Sequence, residues 1–331
     1  MRGVVLGVGF LAAACGDDGG VHRAGEPNEP NELRLLGSTV RFASLGEAAT
    51  ILGTEDDFTR ALSAFDRGFR MRTLSEATSE AFLEHAAAQA LDWSEQRARR
   101  FRGALEELGP ALEGLSLALP DELLLVSSSG EEDIGQPYTR GLAIVLPEGG
   151  DGFYPFGLLA HELFHVASRF DPRLRTRLYP LAGFGHFPAL PFPEDLEARR
   201  FTNPDAPHLD CSIRVTSADG ARDVVPILQA EQDLATTLQD SIFPSLAEPH
   251  LLEVDLVRGE LVTDAAGATQ VLRVADTDYA SIAAINTEYV LHAEEILAEN
   301  FALLVDRRRG GEVLLSHPDV LDELEAELTP R

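Results

Sequence analysis

The chain has 331 residues, 44% of them hydrophobic, with 27 basic and 55 acidic side chains for a formal net charge of −28. That length sustains one large domain or two modest ones with a real core. The charge excludes nucleic acid or an anionic membrane surface as the main partner, because both call for clustered Lys and Arg, and the carboxylate excess reads as a solubilising surface.

The opening run, MRGVVLGVGFLAAACGDDGG, reads as a targeting segment. Arg2 supplies a short positive region, and Val4 to Ala14 is apolar but falls short of the roughly 20 residues a spanning helix needs. The run resembles a bacterial lipoprotein signal peptide, with Leu11-Ala12-Ala13-Ala14-Cys15 as its lipobox and leucine one place earlier than usual. The resemblance implies cleavage after residue 14, a lipid on Cys15, and an exported, lipid-anchored protein in the cell envelope. An ordinary secretory signal with an incidental cysteine is the alternative. If Cys15 carries a lipid, Cys211 has no disulfide partner; it reads as a buried thiol, with zinc ligation as the alternative. Residues 15–33 are rich in Gly, Pro, Asn and acid and read as a flexible tether. The folded body is expected over residues 34–331, with a helical part at 34–118 and a metal-site part at 119–331.

From about Gly46 to Leu117 the chain reads as helices, in segments 56–69, 75–92 and 94–108 with apolar residues three and four apart. Asp56 and Ser94 are plausible caps, and His85 reads as structural or solvent-facing. Near Pro120 the pattern changes, and Asp121–Ser128 and Tyr138–Pro147 read as strands. After the next helix, CSIRVTS, DVVPILQ, LLEVDLV and QVLRVA read as short strands in a loop-rich insertion over 171–285. Helical segments at 276–286, 293–308 and 318–328 close the chain. The expected class is α+β with a helical N-terminal region.

The helix after the second strand segment contains LLAHELFHVASRF, Leu158 to Phe170. On a wheel of about 100° per residue, Phe156, Leu159, Leu163, Val166 and Phe170 share one face. His161, His165 and Ser168 lie opposite, with Glu162 and Arg169 at the edge, and Pro155 suits the first helical position. This predicts a buried apolar stripe and two imidazoles turned toward a cleft. Histidines at i and i+4 can hold one tetrahedral Zn2+ through neutral ring nitrogens, leaving places for a third ligand and a water. Glu162 is placed to take a proton from that water and pass it to a leaving amine. Ser168 and Asp171 stand where metzincins carry a glycine and a third histidine, so that class is excluded.

Further on, in HAEEILAENFALLV, His292, Glu295 and Glu299 share one helical face, while Leu297, Phe301 and Leu304 form the apolar side. Glu294 turns toward the apolar side, which disfavours it as a ligand. His186, His208, Asp210 and His292 are rival third ligands by residue type. With HELFH and this glutamate helix, the chain resembles the gluzincin metallopeptidases, the class that includes thermolysin. The resemblance implies a zincin-like fold and one zinc held by His161, His165 and Glu295. It also implies Glu162 as general base and acid, and Glu299 as the acid that orients a ligand histidine. The 130-position separation of His165 and Glu295 exceeds what a minimal zincin needs and implies an insertion. The strand Gly141–Pro147 is expected as an edge that pairs with an extended substrate, or else as a core strand. Tyr289 and His292 are the candidate donors to a developing oxyanion. The expected activity is hydrolysis of peptide or protein substrates, with membrane contact only through the lipid on Cys15. The alternative is an envelope lipoprotein that holds zinc but is catalytically inactive.

Overall fold

The run Leu123–Val126 has no polar face, which marks a strand covered on both sides. In the computed structural model, which describes residues 32–149, 154–239 and 249–330, it forms the middle of a six-stranded sheet. Cys15, the signal-like run and most of the tether lie outside the described residues.

The sheet contains β1 (Glu32–Leu35), β2 (Ser38–Phe42), β3 (Ala90–Leu91), β4 (Glu122–Ser128), β5 (Tyr138–Arg140) and β6 (Ala143–Pro147). Its order is β1-β2-β4-β6-β5, with β3 paired to the end of β4. Strands β2, β4 and β6 are parallel, and β1 and β5 are antiparallel outer strands. Side chains alternate between two clusters: Leu123, Leu125, Ile144 and Leu146 enter one, and Val126, Ala143 and Val145 the other.

The second of these clusters is covered by α1 (Leu45–Leu52), α2 (Asp57–Ala61) and α4 (Ser79–Ala88), through Leu52, Phe58 and Phe82. The first is covered by α5 (Glu95–Leu112) and α6 (Pro155–Phe170), through Phe101, Leu108, Phe156 and Leu163. Asp56 and Ser94 do cap α2 and α5, accepting from the N–H groups of Thr59 and Arg97. Such caps contribute about 1 kcal/mol each. The expected helix over 56–69 is broken at Leu62, which is extended; Ser63 then caps a separate α3 (Ala64–Arg70).

Two expectations need correction. The region 34–118 is not purely helical, because β1, β2 and β3 belong to it and β2 lies beside β4, so both parts of the chain share one sheet. The segment Tyr138–Pro147 is a hairpin rather than one strand, turning through Gly141 at φ 58°. Strand β6 therefore sits between β4 and β5 as a core strand, and the sheet's edge on that side is β5.

After α6 and α7 (Arg173–Leu178), the insertion builds a second, antiparallel sheet. It holds β7 (Phe184–Leu190), β8 (Arg200–Phe201), β9 (Leu209–Ser217), β10 (Gly220–Gln229), β11 (His250–Asp255), β12 (Glu260–Leu261) and β13 (Val271–Arg273). Short helices α8 (Leu234–Thr237) and α9 (Tyr279–Ala283) punctuate it. Then α10 (Ala293–Arg308) returns to the main core beside α6, with the Phe164 and Phe301 rings 5.8 Å apart. Finally, α11 (Pro318–Leu328) adds Leu321 and Leu324 to that core. The architecture is mixed α and β, and the pairing of α6 with α10 sets the site.

Candidate metal centre

Helix α6 starts at Pro155, whose fixed φ suits a first helical residue, and ends at Phe170 before Pro172. Its apolar stripe enters the core as the wheel requires, but its polar face is covered as well. His161, Glu162 and His165 expose only 6%, 2% and 2% of their surface. The expected imidazoles facing an open cleft are corrected to imidazoles facing α10 under a cover.

Within that enclosure, His161 Nε2 and His165 Nε2 lie 3.0 Å apart. Glu295 Oε2 on α10 lies 3.3 Å from the first and 3.6 Å from the second. Ligand atoms about 2.0–2.1 Å from a tetrahedral zinc are themselves about 3.3 Å apart, so the three atoms are spaced like ligands of one ion. The outer ring nitrogens also face carboxylates: His165 Nδ1 is 3.2 Å from Glu294 Oε1, and His161 Nδ1 is 3.1 Å from Glu299 Oε1. The hydrogen bond to Glu294 assigns the proton of neutral His165 to Nδ1, and the Glu299 charge beside His161 Nδ1 favours the same tautomer there, so both Nε2 lone pairs turn inward. Without a cation, three lone pairs converge on one point, and protons are drawn in to relieve them. Burial pulls His161 down, but the Glu295 and Glu299 carboxylates outweigh it and raise its pKa to about 10. His165 is raised too, burial being overcome by Asp205, Glu295 and Glu294. Burial would raise Glu295, yet the two histidines hold it well below the usual carboxylate range.

Glu294 corrects the wheel. It does point inward, but into a polar niche, where it accepts from Ser168 Oγ at 2.9 Å and Tyr179 OH at 2.7 Å and lies 3.8 Å from Arg175 Nε. Burial opposes its ionisation, but His165, Arg175 and Tyr179 bring its pKa down to about 2. Glu294 therefore supports His165, while Glu299 faces His161.

Glu162 accepts from Thr139 Oγ1 of β5 at 3.3 Å. Burial and the nearby Asp205 push its pKa up to about 8 against the pull of the two histidines. Asn203 Nδ2 donates to Glu295 Oε1 at 2.7 Å, leaving Oε2 to the histidines. Tyr289 is half-buried, and burial, together with the carboxylates of Glu295, Asp205, Glu299 and Glu162, pushes its hydroxyl well above the usual range. Sequence reasoning missed Asn203 and Asp205, which lie in a short connection with no period, and Thr139, whose strand was read without its role at the site.

His292 is placed elsewhere. It caps α10, its Nδ1 accepting from the Glu294 N–H at 3.1 Å, and its Nε2 lies 3.1 Å from Cys211 Sγ and 3.9 Å from Asp210 Oδ1. Asp210, Cys211 and His292 form a second buried cluster with metal-capable atoms. Burial favours neutral His292, and a ring that accepts at Nδ1 carries its proton on Nε2, so it has no lone pair to offer a metal there. The same geometry turns His292 toward Cys211, away from the oxyanion role expected of it. Cys211 is a buried free thiol, as read from sequence. His186, Asp210 and His208 are likewise engaged outside the trio. His186 lies 3.7 Å from Asp210, Asp210 pairs with Arg175 at 3.3 Å, and His208 faces Asp57 at 3.4 Å.

Comparison with models of known protein families, with curated proteins and with solved structures finds no match to this chain. The functional reading therefore rests on the chemistry of the site.

Proposed function

We propose that the protein is a zinc-dependent metallopeptidase of zincin-like fold. The observation that supports this most is the convergence of His161 Nε2, His165 Nε2 and Glu295 Oε2 beside a buried carboxylate, Glu162. Zinc bound by these three residues would supply Lewis acidity, polarising a substrate carbonyl and acidifying a water. Glu162 takes the proton of the attacking water and returns it to the leaving amine. Tyr289 donates to the developing oxyanion. Glu294 and Glu299 hold the two rings in the tautomer that keeps Nε2 inward. In this reading the lipid on Cys15 anchors the enzyme in the envelope; among the described residues no helix is long and apolar enough to cross a membrane.

A second reading, a protein that holds zinc without turnover, is favoured by one observation: Glu162 and the three ligands are nearly inaccessible. Zinc content and a broad peptide-library digest, each compared with Glu162→Gln, separate the two. The peptidase reading expects one zinc per chain in both proteins and a loss of cleavage of about 10²- to 10⁴-fold in the variant. Zinc without cleavage in either protein favours the second reading, and absence of zinc sinks both.

A further inference from the structure

Between β8 and β9 the chain runs Thr202-Asn203-Pro204-Asp205-Ala206-Pro207-His208, and successive residues are tied to different elements. The N–H and Oγ1 of Thr202 both donate to Asp66 of α3 at 2.9 Å, and Arg70 donates to the Thr202 carbonyl at 2.7 Å. Asn203 donates to Glu295 at 2.7 Å. The Pro204 carbonyl accepts from Arg169 of α6 at 2.9 Å, and Asp205 Oδ1 accepts from the Thr139 N–H at 2.9 Å.

The last of these bonds has the largest consequence. In an antiparallel pair, alternate residues turn both their N–H and their C=O away from the partner strand. On edge strand β5 that residue is Thr139: its N–H goes to Asp205 and its C=O accepts from Arg169 at 3.0 Å. These are the groups an extended peptide would use to join the sheet. The chain's own side chains hold them.

We propose that Thr202–Pro207 is an internal gate lying in the substrate's place, which must swing off before a peptide can pair with β5 and reach Glu162. The Asp205 carboxylate stands where a substrate carbonyl would accept from Thr139. Pro204 and Pro207 have no N–H to pair, so the segment lies on the edge without becoming a strand. One side of it borders a surface hollow with Phe192, Pro226 and Leu291 rather than packed core, and that is the side toward which it would swing. The gate's purpose rests on the peptidase reading; its test does not.

The test uses the full chain stripped of metal, with amide hydrogen exchange followed residue by residue by mass spectrometry. The Thr139 N–H, held by Asp205 on the edge strand, reports the segment, and the amides of the buried central strand β4 report any loosening of the fold. Arg169→Gln and Asn203→Gly each release one tie of the segment. In at least one variant, the Thr139 N–H is expected to exchange about tenfold faster or more than in the wild type, with β4 unchanged. Unchanged exchange at Thr139 in both variants would overturn the gate. So would a matching rise in β4 in both, because the cover would then be the whole fold. Zinc content of untreated protein is measured separately, so failure of the metal reading is told apart from failure of the gate.

Discussion

Two buried clusters in this protein have nearly the same ingredients. One joins His161, His165 and Glu295; the other joins Asp210, Cys211 and His292. They differ in what stands behind the imidazoles. Behind His161 and His165 stand the acceptors Glu299 and Glu294, which draw the ring protons outward and leave lone pairs facing in. Behind His292 stands a donor, the Glu294 N–H at the start of α10, which reverses the tautomer and aims a proton at Cys211. Residue type and proximity do not distinguish the clusters, but the direction of one hydrogen bond does.

The comparison breaks most easily at the ligands. His161→Ala is expected to weaken zinc binding roughly a hundred- to a thousandfold, one ligand's share of a typical site, while Cys211→Ser leaves it unchanged. Competition with a chromophoric chelator measures both, and loss of zinc from the cysteine variant would mean the clusters have been ranked the wrong way round. A step smaller, Glu294→Gln should weaken zinc about 10- to 100-fold by loosening the orientation of His165. Glu299→Gln, on the more exposed side of α10, should do less.

Proton competition sharpens the contrast further. His161, with a pKa near 10 in the metal-free site, and His165, shifted the same way, are protonated near neutral pH, so zinc must displace those protons. Affinity is therefore expected to fall with pH, about tenfold per unit for each proton displaced. An affinity that stays flat between about pH 8 and about pH 6 would make this pair neutral like His292. The smallest effect belongs to His292→Asn. It keeps a capping acceptor but loses the contact with Cys211, so thermal unfolding should show about 1 kcal/mol of lost stability with zinc unaffected.

Much of the site was legible because it is periodic. His161, Glu162 and His165 stand within about one helical turn, and Glu295 and Glu299 are one turn apart on a second helix. Glu294 marks the limit of that reasoning, since a wheel gives a direction but cannot tell an apolar wall from the niche made by Tyr179, Ser168 and Arg175. Asn203 and Asp205 were out of reach because a short polar connection has no period, and its place over β5 is set by Asp66, Arg70 and Arg169 on distant elements. The β1–β2 hairpin was missed for a local reason. Its two-residue turn is Leu36-Gly37, with φ 50° and 90°, and leucine in that conformation gives none of the usual Asn-Gly or Asp-Gly signal.

The occupied edge of β5 also bears on the protein's behaviour in a crowd of its own copies. An exposed edge strand is a template for pairing with any other chain, and proteins blunt such edges to avoid aggregation. Here Asp205 and Arg169 take up the outward groups of Thr139, so the sheet offers no docking line on that side while the segment is in place. Freeing the edge for a peptide would also free it for a neighbour, and solutions of an opened form should self-associate where the closed form, at a formal charge of −28, stays dispersed.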